Sequence, residues 1–290
     1  MKRFFNRAGR DDYQNERNIL QALSATPHPH IVQYLNAWSS NDFSYILLPL
    51  ANGDLYHLLR NTVSLSPTDS SYAWLLAQTR GLCEALKYLH DYEVPRSNAV
   101  TPMWRVGFHH DLKPANILVF GETLAASTLK ISDFGSGTIK HVSSTLRDSI
   151  HNRKASTGDP IYSAPEFVVE GRVSRPKDIW SLGCIFLEML LWLHSSSNGV
   201  IEEFQRARAV SGGQSTADEP TFWSQVSTGM PVLNAEVKKQ INLLELKWSH
   251  HSHLSGFVEM TQSMLIIDPK RRSTAADLCV RFDELGGGPQ

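Results

Sequence analysis

The stretch Phe108-His109-His110-Asp111-Leu112-Lys113-Pro114-Ala115-Asn116-Ile117-Leu118 puts an aspartate, a lysine two residues on and an asparagine five residues on into one polar loop. The apolar run Ile117-Leu118-Val119-Phe120 follows at once. An aspartate can orient and deprotonate a hydroxyl, a lysine can neutralise a transferring phosphoryl group, and an asparagine oxygen can ligate Mg²⁺. Few other tasks need those three side chains so close together.

Further elements stand downstream in a fixed order. Asp133-Phe134-Gly135 follows the strand-like run Leu129-Lys130-Ile131, and after it come Ala164-Pro165-Glu166, Asp178-Ile179-Trp180-Ser181-Leu182-Gly183 and Asp268-Pro269-Lys270-Arg271-Arg272. Together with the loop around Asp111 they resemble the eukaryotic protein kinase superfamily, and the Lys113-Pro114 pair resembles its Ser/Thr branch. Each tripeptide alone is weak, but the ordered set covers most of the chain. The resemblance implies an α+β, bilobal fold with an incomplete, small β-rich N-lobe and a large, mainly helical C-lobe. It implies a kinase-like domain over residues 1–284, divided into a partial N-lobe (1–50, helix C and strands three to five) and a C-lobe (51–284). Residues 285–290 are expected to form a disordered tail.

The same resemblance assigns roles. Asp111 would accept the substrate hydroxyl's proton and Lys113 would contact the γ-phosphate of ATP; Asn116 and Asp133 would hold Mg²⁺ with oxygen ligands. Glu16, on a segment similar to the family's helix C, would pair with the strand-three lysine. Lys2 suits that role, fourteen positions earlier and in a Lys-Arg-Phe context; the alternative for Glu16 is an exposed helix carboxylate. Pro49-Leu50-Ala51-Asn52-Gly53-Asp54-Leu55 resembles the hinge. Pro49 lacks an N–H but keeps the carbonyl that adenine needs, Ala51 keeps its amide, Asp54 would reach a ribose hydroxyl or cap a helix, and Leu118 would pack beneath adenine. Leu20, Tyr34, His109 and Phe134 would form an internal hydrophobic column, and Arg272 would pair with Glu166.

Composition agrees with an ordinary globular protein: 290 residues, 41% hydrophobic and 20% charged, with a net charge of −1. That charge recommends neither nucleic acid nor an anionic membrane as partner. Cys83, Cys184 and Cys279 lie in apolar contexts and read as reduced thiols. The run Ile179 to Leu193 is interrupted by Ser181 and Glu188 and falls short of the ~20 residues that span a bilayer, so it reads as a helix buried on every side. With no signal-peptide core at the start, an intracellular setting, cytoplasmic or nuclear, is expected.

The chain is expected to hold an amphipathic helix over Asp11–Leu23, capped by Asp11 or Asp12, with Ile19, Leu20 and Leu23 inward. A buried strand at Tyr45–Leu48, a long helix at Ser70–His90 and closing helices at Leu254–Ile266 and Ala275–Phe282 are expected too. Asp91–Arg105, with two prolines and no clear period, reads as an irregular insertion, and Ser195–Glu219 as a loop around a short helix. His250, His251 and His253 lack the spacing of a metal site and read as a solvated loop.

Three departures from the family pattern matter. The Gly-rich loop and strands one and two would precede Lys2, and Gly-x-Gly-x-x-Gly occurs nowhere in the chain. Lys2 is therefore expected on a frayed terminus, and either a longer gene product or a fragment is expected, the former in preference. His110 replaces the arginine that binds a phosphorylated activation loop; imidazole is a weaker, pH-dependent stand-in, which predicts activity that does not depend strongly on phosphorylation between Asp133 and Glu166, at Ser143, Ser144, Thr145, Ser156 or Thr157. Asp159 replaces a threonine and could accept from Lys113, while adding a negative charge near Asp111. The reading reached is a Ser/Thr protein kinase that takes ATP, Mg²⁺ and a protein hydroxyl. The alternatives are a pseudokinase scaffold with impaired ATP binding and a small-molecule phosphotransferase.

Overall fold

The computed structural model describes residues 1–5, 10–61, 68–91, 93–94, 103–141, 158–171, 174–195, 198–211 and 220–286. Strand β1 (Lys2–Phe5) is followed by helix α1 (Arg10–Leu23), then β2 (Asn36–Ser39) and β3 (Phe43–Leu47). These strands form an antiparallel sheet in the order β1-β3-β2, in which Lys2 lies opposite Ile46. Alternation explains β3, where Ser44 and Ile46 are buried and their neighbours are not. Pairing with β3 also corrects the expectation of a frayed Lys2: four consecutive residues of β1 are in register with it.

Helix α1 buries Tyr13, Glu16, Ile19, Leu20 and Leu23 on one stripe. Asp11 and Asp12 lie inside its first turn, as favourable charges at the positive end rather than as caps. The segment after α1 docks onto the larger part of the molecule. Val32 N–H donates to Ile131 O, Ile131 N–H to His30 O, and His30 Nδ1 to Leu129 O at 2.7 Å.

Farther along the chain come β4 (Gly53–Asp54), α2 (Leu55–Asn61), α3 (Asp69–His90), β5 (Glu93–Val94) and β6 (Met103–Phe108). Thr68 and Ser71 form a reciprocal capping box that starts α3. Then follow β7 (Ile117–Phe120), β8 (Thr128–Ile131) and β9 (Thr138–His141). β4 pairs with β7, β7 with β8, and β6 with both β5 and β9. Strand β6 corrects the irregular insertion expected to run to Arg105. Trp104, Val106 and Phe108 alternate with Arg105 and Gly107, a period of two that suits a strand. Residues 95–102 of that stretch lie outside the described residues.

The remaining elements are α4 (Pro165–Glu170), α5 (Arg175–His194), α6 (Val200–Ser211), β10 (Trp223–Gln225), β11 (Pro231–Leu233), α7 (Ala235–Trp248), α8 (Ser252–Met264) and α9 (Ala275–Gly286). Every residue from Lys177 to Leu193 in α5 is buried, as a helix apolar on all sides requires. No described helix is long and apolar enough to cross a membrane. Helix α6 falls within the loop around a short helix expected over Ser195–Glu219, of which residues 196–197 and 212–219 lie outside the described ones. The expected tail is corrected at Leu285 and Gly286, which are helical. Gly256 of α8 lacks the Cβ that would lie 2.5 Å from Leu285, so Leu285 packs there. Residues 287–290 lie outside the described ones, as do Ser143, Ser144, Thr145, Ser156 and Thr157.

Candidate active site

Two clusters of charge stand out, one joining β1 and α1 to Asp133 and one around Asp111 in the loop held by α5. In the first, Lys2 Nζ lies 2.7 Å from Glu16 Oε2 and 2.8 Å from Asp133 Oδ1. Glu16 is fully buried and its Oε1 has no hydrogen-bond partner among the described residues, so its charge is answered by Lys2. Burial pushes the Glu16 carboxyl up, partly offset by Lys2. Burial works against the Lys2 ammonium, but the carboxylates of Glu16 and Asp133 outweigh it and raise its pKa. Asp133, despite burial that works the other way, is held below the usual carboxylate range by Lys2. The pair Lys2–Glu16 read from the sequence is thus assembled, with Asp133 as third member.

The second cluster surrounds Asp111. Its Oδ1 accepts from Asp159 N–H at 2.9 Å, and its Oδ2 faces Lys113 Nζ at 2.9 Å and Asn116 Nδ2 at 3.2 Å. Asn116 Nδ2 also donates to Asp111 O at 2.7 Å. The carboxylate of Asp159 turns to Ile161 N–H instead, so its expected engagement with Lys113 gives way to a local turn cap.

Backbone strain marks both clusters. Among the described residues, the only non-glycine positions at positive φ are His110 (70°) and Asp133 (62°). Such conformations persist where surrounding bonds over-determine them. At His110 those bonds come from α5: Asp178 Oδ2 accepts from His109 N–H and Asp178 Oδ1 from His110 N–H, each at 2.9 Å, while Lys177 Nζ donates to His110 O at 2.7 Å. His90 Nε2 donates to the same Asp178 at 3.1 Å. The His110 ring stacks on Phe108 with centroids 5.3 Å apart. Burial pushes its pKa down to about 4, so it stays neutral and cannot act as the pH-dependent stand-in for arginine.

Of the residues expected in the column, Phe134 is fully buried with its ring 5.0 Å from that of His109. Leu20 is buried in the core, and Tyr34 is half-buried, its hydroxyl accepting from Gln21. In the segment expected to be the hinge, Pro49 and Ala51 are half-buried and Leu50 is exposed. Asp54 caps α2, accepting from His57 N–H at 2.9 Å, and stands opposite Leu118 in the β4–β7 ladder. Glu166 and Arg272 form a buried bidentate pair at 2.7 and 3.0 Å. The histidines at 250, 251 and 253 are exposed, and no group of three metal-ligating side chains occurs among the described residues.

Sequence reasoning missed Asn15, whose Nδ2 donates to Gly135 O and Gly137 O at 2.9 and 2.7 Å and ties α1 to the turn after Asp133. Its neighbour Glu16 was the available signal. It also missed the buried group in which Tyr162 Oη donates to Glu188 Oε2 and Arg208 faces Glu188.

Comparison with known proteins agrees with this geometry. The family model described as "Protein kinase domain" matches residues 2–281. The mitogen-activated protein kinase kinase kinase MST11 of Pyricularia oryzae is 30% identical over 203 residues, 69% of this chain and 19% of that protein. The mitosis inhibitor protein kinase mik1 of Schizosaccharomyces pombe is 32% identical, over 69% of this chain and 29% of its own length. The serine/threonine-protein kinase Nek1 of Mus musculus is 26% identical over 64% of this chain and 13% of its own. The matched region is thus less than a third of each of these relatives. A family model matched along nearly the whole sequence, over a site with this arrangement, shows that the chain belongs to the eukaryotic protein kinase superfamily.

Proposed function

We propose that this chain transfers the γ-phosphoryl group of ATP to a Ser or Thr hydroxyl of a protein. The observation that supports this most is the bridging of Glu16 and Asp133 by Lys2, together with an Asp111 carboxylate held by Asp159 N–H, Asn116 and Lys113. In this reading the substrate oxygen forms a bond to the γ-phosphorus as the bond to the β-phosphate oxygen breaks, and the hydroxyl proton passes to Asp111. Lys113 leaves Asp111 to neutralise the moving phosphoryl group, and Lys2 holds the remaining phosphates while Glu16 fixes its position. Pro49 O and Ala51 N–H receive adenine, Asp54 the ribose, and Leu118 the underside of the ring.

The donor set fits Mg²⁺, a hard cation bound through one or two carboxylates plus phosphate and water. Asp133 is kept ionised by Lys2, and Asn116 commits its amide nitrogen to Asp111, which leaves the amide oxygen for a cation. When bound, Mg²⁺ supplies charge neutralisation on the phosphates. Positioning and electrostatics supply the rest of the rate.

Lobes meeting near residue 50 and an intracellular setting, which suits three free cysteines, belong to the same reading. The test is transfer of labelled phosphate from ATP to a generic basic protein. The expected result is Mg²⁺-dependent labelling of Ser and Thr that is lost in Asp111→Asn and Asp133→Asn. Labelling that survives both substitutions, or none from the wild type, overturns the reading.

A further inference from the structure

Lys177 is out of place by two local rules. It lies in the first turn of α5, where the helix dipole disfavours a cation, and it is 1% exposed. Burial accordingly pushes its ammonium down from the ordinary lysine value, while Asp178, Asp111 and Glu166 act in the opposite direction. A cation kept at such cost has work where its Nζ points. That atom donates to His110 O at 2.7 Å and sits 3.7 Å above the Phe167 ring.

Both partners matter to Asp111. His110 O is the carbonyl that ends the strained left-handed residue just before it. Gly158 packs against the same carbonyl: a Cβ there would come within 2.8 Å of His110 O and 3.0 Å of Asp111 Oδ1. The next residue, Asp159, donates its N–H to Asp111 Oδ1. Phe167 belongs to α4, immediately after Glu166. One ammonium therefore touches the catalytic loop and the helix that closes the segment from Asp133 to Glu166. His110 itself brings no charge, since its ring is buried against Phe108.

We propose that Lys177 is a positioning residue for Asp111: a buried internal cation that clamps the end of the activation segment to the catalytic loop, without phosphorylation. This rests on the phosphotransfer reading for its rate effect, though the clamp itself can be observed without activity.

The experiment compares the wild type with Lys177→Met and Phe167→Leu by steady-state kinetics and by amide hydrogen exchange. Lys177→Met is expected to lower kcat at least tenfold with KM for ATP changed less than twofold. Exchange is expected to quicken over residues 108–116 and 158–167, while α5 and α8 keep their protection. Phe167→Leu, which spares the bond to His110 O, is expected to quicken exchange over 158–167 alone; this arm stands if Lys177→Met fails to fold. A kcat within twofold of wild type overturns the proposal, as does unchanged exchange in the two segments or a uniform rise across the whole chain. An inactive wild type defeats the phosphotransfer reading, and the exchange result then decides the clamp.

Discussion

Arg272 spends all five of its N–H donors inside the protein. Nη1 and Nη2 each meet one oxygen of Glu166, at 2.7 and 3.0 Å, and the other donors reach the carbonyls of Pro176, Ile266 and Ile267. Both residues are buried. Arg272→Met keeps a long apolar stem but strands a carboxylate and three carbonyls in the interior. Removing one partner of a buried, hydrogen-bonded pair costs about 3–5 kcal/mol, against a total stability of about 5–15 kcal/mol for a folded domain. With a urea dependence of about 3 kcal/mol per molar, a loss of about 4 kcal/mol lowers the unfolding midpoint by about 1.3 M. Adding Glu166→Leu to Arg272→Met should restore part of the loss, because the stranded charge is then gone. Equilibrium urea unfolding followed by circular dichroism measures both. A midpoint lowered by less than about 0.3 M, or a double variant whose losses simply add, would refute the reasoning.

Three further outcomes follow from the same coordinates. An unfolded histidine takes up a proton near pH 6.5 but folded His110 only near pH 4, so its contribution is intact above pH 6.5 and is lost as pH falls through that window. The loss amounts to about 3 kcal/mol; His110→Phe, which keeps the stack on Phe108, should flatten this acid sensitivity in urea midpoints at pH 7 and 4.5, and an unchanged slope would contradict it. Gly158→Ala should reduce phosphotransfer on the order of 100-fold by displacing His110 O and Asp111, and a rate equal to wild type would count against the packing described. Asp159→Thr keeps a cap for Ile161 N–H and removes a charge near Asp111, so turnover should hold or rise; a severe loss would give the carboxylate a role of its own.

Much of the site was legible because chemistry forces unusual residues together. Asp111, Lys113 and Asn116 share one loop, and Glu16 is a carboxylate on an otherwise apolar stripe, which demands a cation. Helix α5 was legible from its unbroken apolar character. What escaped depends on distant partners. Lys177 reads locally as an ordinary charge at a helix start; only the path of the loop that carries His110 and Asp111 gives its ammonium an acceptor. Strand β6 has an alternating pattern only a few residues long, and its partner β9 lies some thirty positions later, so its pairing outweighs a weak local signal. Leu285 is ordered by a gap above Gly256, which no property of the tail reveals. Lys2 is held by the register of β1 against β3, not by anything in its own few neighbours.

The central claim is that Lys2, Glu16 and Asp133 form a site for magnesium-bound nucleotide. Calorimetric titration of ATP into the protein, with and without Mg²⁺, tests it most directly. Saturable binding that requires Mg²⁺ and disappears in Asp133→Asn is predicted; heats that are absent, or identical in both proteins, would contradict it.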